Sequence, residues 1–91
     1  MRKYKLRKQT ILKAKSLGVE VKPSEKKGKK IDVLRNNEVV SIGDINYKDY
    51  HMYSESDKDL AESRRRAYHA RHDCSNAKKG TAGYYACKLL W

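Results

Sequence analysis

Phenylalanine is absent from this 91-residue chain, tryptophan and proline occur once each, and cysteine occurs twice. The core must therefore be built from seven tyrosines, the single tryptophan and a modest set of Leu, Ile and Val. A chain of this length buries about 60–65% of its unfolded surface, so every large side chain counts. Tyrosines in a core need partners for their hydroxyls, and a partly polar interior is expected. No run of about 18 apolar residues occurs, which excludes a membrane-spanning helix. The basic N-terminus lacks the apolar stretch of a signal peptide, and synthesis in a cytosol is expected. Two cysteines are too few for a secreted disulfide framework.

Acidic residues are also scarce: 11 against 22 Lys and Arg, for a formal net charge of +11. The imbalance is uneven. Residues 1–30 carry +10, residues 31–63 carry −5 and residues 64–91 carry +6. This basic–acidic–basic layout points to two surfaces able to meet a polyanion.

Residues 4–17 read as a helix. Leu6, Thr10, Ile11, Ala14 and Leu17 share one side, bordered by Tyr4, with Lys8 and Lys15 opposite. Gly18 is a natural stop. Val19-Glu20-Val21 suits an edge strand, and residues 23–30 read as a loose basic loop carrying Lys26, Lys27, Lys29 and Lys30. Two β-rich runs, 31–35 and 39–42, flank Asn36-Asn37-Glu38, the pattern of a β-hairpin. Residues 44–56 read as an irregular segment draped over that hairpin, with Tyr47 and Tyr50 packed inward.

A helix is expected from Ser56 or Asp57 to about His72, with Ser54 and Ser56 as candidate N-caps and Asp57 and Asp59 suiting the positive end of the helix dipole. On its wheel Leu60, Ser63, Ala67, Ala70 and Cys74 cluster. Arg64 and Arg71 then border the core, held by carboxylates such as Asp44 or Asp49 or by backbone carbonyls. Arg65, Arg66 and His69 point outward, where phosphate can reach them. Residues 73–79 form a loop with a second basic patch at Lys78 and Lys79. Thr81 caps a last helix over 82–90, and Trp91 inserts into its own domain or into a neighbour.

The fold class this predicts is α+β: one domain over 1–91, with a basic helical arm at 1–22 and a compact body at 23–91. The body comprises a β-hairpin or small antiparallel sheet and two C-terminal helices. Tyr68 and Trp91 join the inward tyrosines as its rigid core.

No catalytic centre is legible. Walker loops, G-x-G-x-x-G and paired carboxylates are missing, so no cofactor and no small-molecule substrate is expected. Cys74 beside His72 lacks an orienting third residue and an oxyanion device. His69, His72, Cys74 and Cys87 have the spacing H-x2-H-x-C-x12-C, which leaves three readings open: a tetrahedral zinc site, a disulfide, or neither.

Several segments resemble one family. They are Ser24-x-x-Lys27-Gly28-Lys29-Lys30-x-Asp32-Val33, Ser41-Ile42-Gly43-Asp44-x-x-Tyr47-x-Asp49-Tyr50, Arg64-Arg65-Arg66-Ala67-Tyr68-x-x-Arg71-His72, Gly80-Thr81-Ala82-Gly83-Tyr84-Tyr85 and Leu89-Leu90-Trp91. Together they look like a family of small basic proteins encoded by large eukaryotic DNA viruses of the algal-virus and giant-virus type and by tailed bacteriophages. The family has no established activity. The resemblance covers residues 24–91 and implies a viral protein, part of the particle. The expected function is a non-enzymatic virion component, made in the host cytoplasm, that contacts packaged nucleic acid or capsid protein. The rival is a genome-condensing or regulatory nucleic-acid-binding protein without a capsid role. The nucleic-acid-binding residues would be Lys26, Lys27, Lys29, Lys30, Arg65, Arg66, His69, Lys78 and Lys79; for the rival, Arg65, Arg66, Lys78 and Lys79 would be the main phosphate ligands.

Overall fold

The computed structural model describes residues 4–91, which form two compact units divided after Tyr47. The fold class is α+β, with an N-terminal helix, a three-stranded antiparallel sheet and C-terminal helices. Among the described residues, no helix is long and apolar enough to cross a membrane.

In the first unit, helix α1 spans Lys8–Ser16, starting four residues later than the periodicity suggests. Arg7 is extended at its N-cap, and the Arg7 guanidinium lies 5.1 Å from the Tyr4 ring centroid. Tyr4 is buried, so residues 4–7 serve to place an aromatic ring rather than to add a turn. Thr10 and Ala14 form the buried face; Ile11 of the expected apolar side is exposed. Gly18 ends the helix at φ +74°, with its N–H donating to Lys15 and the Val19 N–H donating to Ala14. That pair of bonds is the Schellman arrangement, and it needs the left-handed conformation glycine tolerates.

Strands β1 (Glu20–Pro23), β2 (Ile31–Arg35) and β3 (Glu38–Ile42) form the sheet in the order β1-β2-β3. Asn36 and Asn37 both take positive φ, 50° and 67°, which makes the two-residue hairpin turn that matches strand twist. Register pairs Val33 with Val40 and Ile31 with Ile42, and Ile31, Val33 and Ile42 are buried.

Asp32 alternates to the other face of β2 and is also buried. Its carboxylate accepts from the Ser24 and Ser41 hydroxyls, each at 2.6 Å, and from the Glu25 N–H at 3.3 Å. The Lys26 N–H donates to Ser24 Oγ in turn. The basic segment expected as a loose loop is thus fastened to the central strand through one carboxylate.

In the second unit, residues expected to be irregular contain a short helix, α2 (Tyr50–Ser54). The buried Asp49 caps it, accepting from the Met52 N–H at 3.0 Å. Tyr47, the last residue of the first unit and expected inward, is 70% exposed. Tyr50 is half-buried, and its hydroxyl donates to Glu62 on the following helix at 2.8 Å.

That helix, α3 (Lys58–Arg71), begins near the expected start, but its cap is Asp57, accepting from the Leu60 N–H, in place of Ser54 or Ser56. Its phase differs from the expectation. Ala61 is fully buried and Arg65, Tyr68 and His69 are half-buried, whereas Leu60, Ser63, Ala67 and Ala70 are exposed. Arg64 and Arg71, expected beside the core, are exposed too. Small apolar residues set the expected face; the real one is set by the large ring of Tyr68 and by contacts to α2.

A 3-10 turn, Cys74–Asn76, leads to helix α4 (Ala82–Leu89), whose cap is Thr81 accepting from the Tyr84 N–H as predicted. Tyr85, Ala86, Cys87, Leu89 and Leu90 are buried. The C-terminal residues close on α2: the Tyr50 N–H donates to the Leu90 carbonyl, and His51 Nε2 meets the Leu89 carbonyl at 3.2 Å.

Burial works to raise the Asp32 pKa, but the two serine hydroxyls, the Glu25 amide and the Lys22 charge outweigh it and hold the carboxyl below its usual value. A lowered carboxylate pKa stabilises the fold fully above the ordinary carboxylate range. That contribution disappears as pH falls through the lowered value. Asp32→Asn should lower stability by about 2 kcal/mol at neutral pH, because its hydrogen bonds are made to a charged acceptor. Urea midpoints measured from neutral to acid pH should show the difference between variant and parent shrinking in acid.

Candidate nucleic-acid interface

The predicted phosphate ligands divide by environment. Lys26, Lys27, Arg66, Lys78 and Lys79 are exposed, and Lys29 is half-buried. Their side chains form no ion pair among the described residues. Gly28 takes φ +83° between the lysines of the first patch, and the loop closes with the Lys29 N–H donating to Lys26. Lys78 and Lys79 precede the capped start of α4, where Thr81 Oγ1 donates to the Lys78 carbonyl at 2.7 Å.

Lys30, Arg65 and His69 do not fit the expected role. Lys30 is 2% exposed, with Nζ 5.4 Å from the Tyr4 ring centroid. Its position one residue before β2 puts it in alternation with Asp32, a signal that extending the strand by one residue would have revealed. Arg65 lies over the Tyr50 ring at 5.2 Å and 4.0 Å from Glu62, which already accepts from Tyr50. The Glu62 hydrogen bond, burial and the Glu62 charge raise the Tyr50 pKa.

His69 carries a buried Nε2 that has no hydrogen-bond partner. The residue lines a cavity of about 150 Å³ with Cys74, Ser75, Cys87 and Lys88. Cys74 and Cys87 form a disulfide, Cα–Cα 5.7 Å, joining the turn after α3 to α4. Of the readings the sequence left open, the structure takes this one, and with both sulfurs in the bridge neither is a thiolate ligand. Among the described residues, no group of three or more His, Cys, Asp or Glu side chains is placed to hold a metal ion.

The aromatic residues assemble in a way the sequence did not suggest. Tyr68 stacks on Trp91, centroids 4.6 Å apart and planes 10° apart. His72 stacks on Tyr68 at 4.1 Å and 28°. Tyr53 continues the row beyond Trp91 at 6.3 Å, tilted by 45°. Trp91 is half-buried in its own unit, so the expected insertion holds in part. Tyr68, His72 and Trp91 come from the two motifs, Tyr68-x-x-Arg71-His72 and Leu89-Leu90-Trp91, and meet in one row.

Cations border the row. Arg64 and Lys48 both lie 5.8 Å from the Tyr53 centroid. Burial raises the Tyr68 hydroxyl pKa, and the charge of Arg71, close enough to act on that hydroxyl, works in the opposite direction. Arg64 and Arg71, expected to meet Asp44 or Asp49, thus belong to the rim of an aromatic row. Compared with known proteins, the chain matches no family model, no curated protein and no solved structure.

The closure of this unit can be tested at two places. Replacing Cys74 and Cys87 by serine reopens a loop with a sequence separation of 13 and should lower stability by about 3 kcal/mol, read as a shifted urea midpoint. Deleting Leu90 and Trp91 removes a leucine that is 2% exposed together with one ring of the row. A destabilisation of about 4 kcal/mol or more is expected, which should abolish the cooperative transition followed by circular dichroism; an unchanged transition would place these residues in a partner's pocket.

Proposed function

We propose that this chain is a non-enzymatic, virion-associated protein that holds packaged nucleic acid by sequence-independent contacts to phosphate. The observation that carries this reading is the set of exposed cations without ion pairs among the described residues: Lys26 and Lys27 in one unit, Arg66, Lys78 and Lys79 in the other. Flexible lysines act as point charges toward phosphate, and contacts to phosphate carry no sequence information. The first unit has the larger charge, thirteen Lys and Arg against five acids in residues 1–47.

Two further features support the setting. The resemblance of residues 24–91 to small basic viral proteins favours a viral origin. The Cys74–Cys87 disulfide favours residence in a mature particle, since thiols in a cytosol are kept reduced.

Binding to random duplex DNA, titrated from low to near-physiological salt, tests the proposal. Micromolar or tighter affinity is expected, falling steeply with salt. Replacing Lys26, Lys27, Lys78 and Lys79 by alanine should flatten the log–log slope by about 0.9 for each phosphate no longer neutralised. Weak binding at low salt would overturn the nucleic-acid contact and leave acidic patches of capsid protein as the partner. Mass spectrometry of purified particles tests the location: absence of the chain would leave a genome-condensing or regulatory role outside the capsid.

A further inference from the structure

We infer that the aromatic row in residues 48–91 is a stacking platform for an unpaired nucleobase, so that the nucleic acid gripped by this protein is preferentially single-stranded. The inference rests on the phosphate-binding reading above and specifies its ligand. The platform is the outer face of the His72 ring.

Three observations carry it. The row is directional: Tyr53, Trp91, Tyr68 and His72 follow one another, with the tightest contacts at the His72 end, 4.6 Å and then 4.1 Å. His72 is exposed, and Tyr68 is its one ring contact among the described residues. One face of an otherwise continued stack is therefore open to solvent. Charge around the row suits a nucleic-acid backbone: Arg71 adjoins His72 and is exposed without an ion pair among the described residues, and Arg64 and Lys48 stand over Tyr53. The nearest carboxylate in sequence, Asp73, is engaged by Asn76 Nδ2 at 3.0 and 3.1 Å and by Ser75 Oγ at 3.4 Å.

Every base has a π-face, so stacking needs no particular sequence. A duplex keeps those faces inside its own stack, and only an unpaired or splayed-out base can present one. The backbone of such a strand would lie against Arg71, and lysine contacts elsewhere would add affinity without selecting strandedness.

The test compares a labelled oligothymidine with a duplex of equal length by fluorescence anisotropy at one salt concentration. The parent protein should bind the single strand several-fold more tightly. His72→Ala should weaken oligothymidine binding about tenfold and leave duplex binding within about twofold. His72→Phe, which keeps a stacking ring, should restore it. Circular dichroism of both variants checks that α3 and the fold persist, and Phe rescue separates a stacking role from a structural one. Equal weakening on both ligands, or none on either, overturns the platform while salt-dependent duplex binding keeps the phosphate-binding reading intact. Failure of the parent to bind any nucleic acid overturns both.

Discussion

Asp32 sits on the central strand with its carboxylate out of water, and three donors from two other segments turn toward it. A buried charge without such donors would be prohibitive, so the loop after β1 and strand β3 have little freedom over where they lie. The same constraint recurs through the molecule. A chain without phenylalanine fills its interior with groups that have polar ends, and most of those ends are answered, the buried His69 Nε2 being the exception among the described residues. The Tyr50 hydroxyl is answered by Glu62, the His51 ring by the Leu89 carbonyl, and the Asp49 carboxylate by the Met52 amide. These bonds link segments that apolar contact alone would leave loosely specified.

The same economy of apolar residues divides the cations. Some lie over rings: Arg7 and Lys30 on Tyr4, Arg64 and Lys48 on Tyr53, Arg65 on Tyr50. Such contacts contribute about 0.5–1 kcal/mol each where exposed. They let tyrosine serve as core and long basic side chains serve as its cover. Others, such as Lys26, Lys27, Lys78 and Lys79, are exposed with no ion pair among the described residues. Net charge alone does not separate the two classes. Lys30 and its neighbour Lys29 differ in burial by their position relative to a strand, not by composition.

This explains what could be read from the sequence and what could not. Features decided by local chemistry were legible. Asn36-Asn37 predicts its turn, Gly18 its helix stop and Thr81 its cap, and in each case the deciding bonds span few residues. Features decided at long range were hidden. Helix α2 closes on the carbonyls of Leu89 and Leu90, and His51 is 38 residues from its partner. The expected phase of α3 gives the buried face to Leu60, Ala67 and Ala70, all of which are exposed. Ala61 and Tyr68 hold that face instead, with the Arg65 guanidinium over the Tyr50 ring. The aromatic row was invisible for the same reason: its rings come from three places in the chain, and no periodicity joins them.

The row also separates structure from function within one motif. Packing explains Trp91 and Tyr68: they are half-buried, nearly parallel and in contact, and an aromatic pair of this kind contributes about 0.5–1.5 kcal/mol beyond its buried area. His72 needs a different account. It stands at the C-cap of α3, where a cation is favoured and an apolar ring is not. Covering one face of Tyr68 would be served as well by the stem of a lysine. A flat ring leaves its own second face open, beside an exposed arginine, in a position that an aliphatic chain could not provide. Under the proposed function, phosphate contacts would hold any strand. The open ring would add a contribution comparable to one base stack, about 1–3 kcal/mol, and only to a strand whose bases are free.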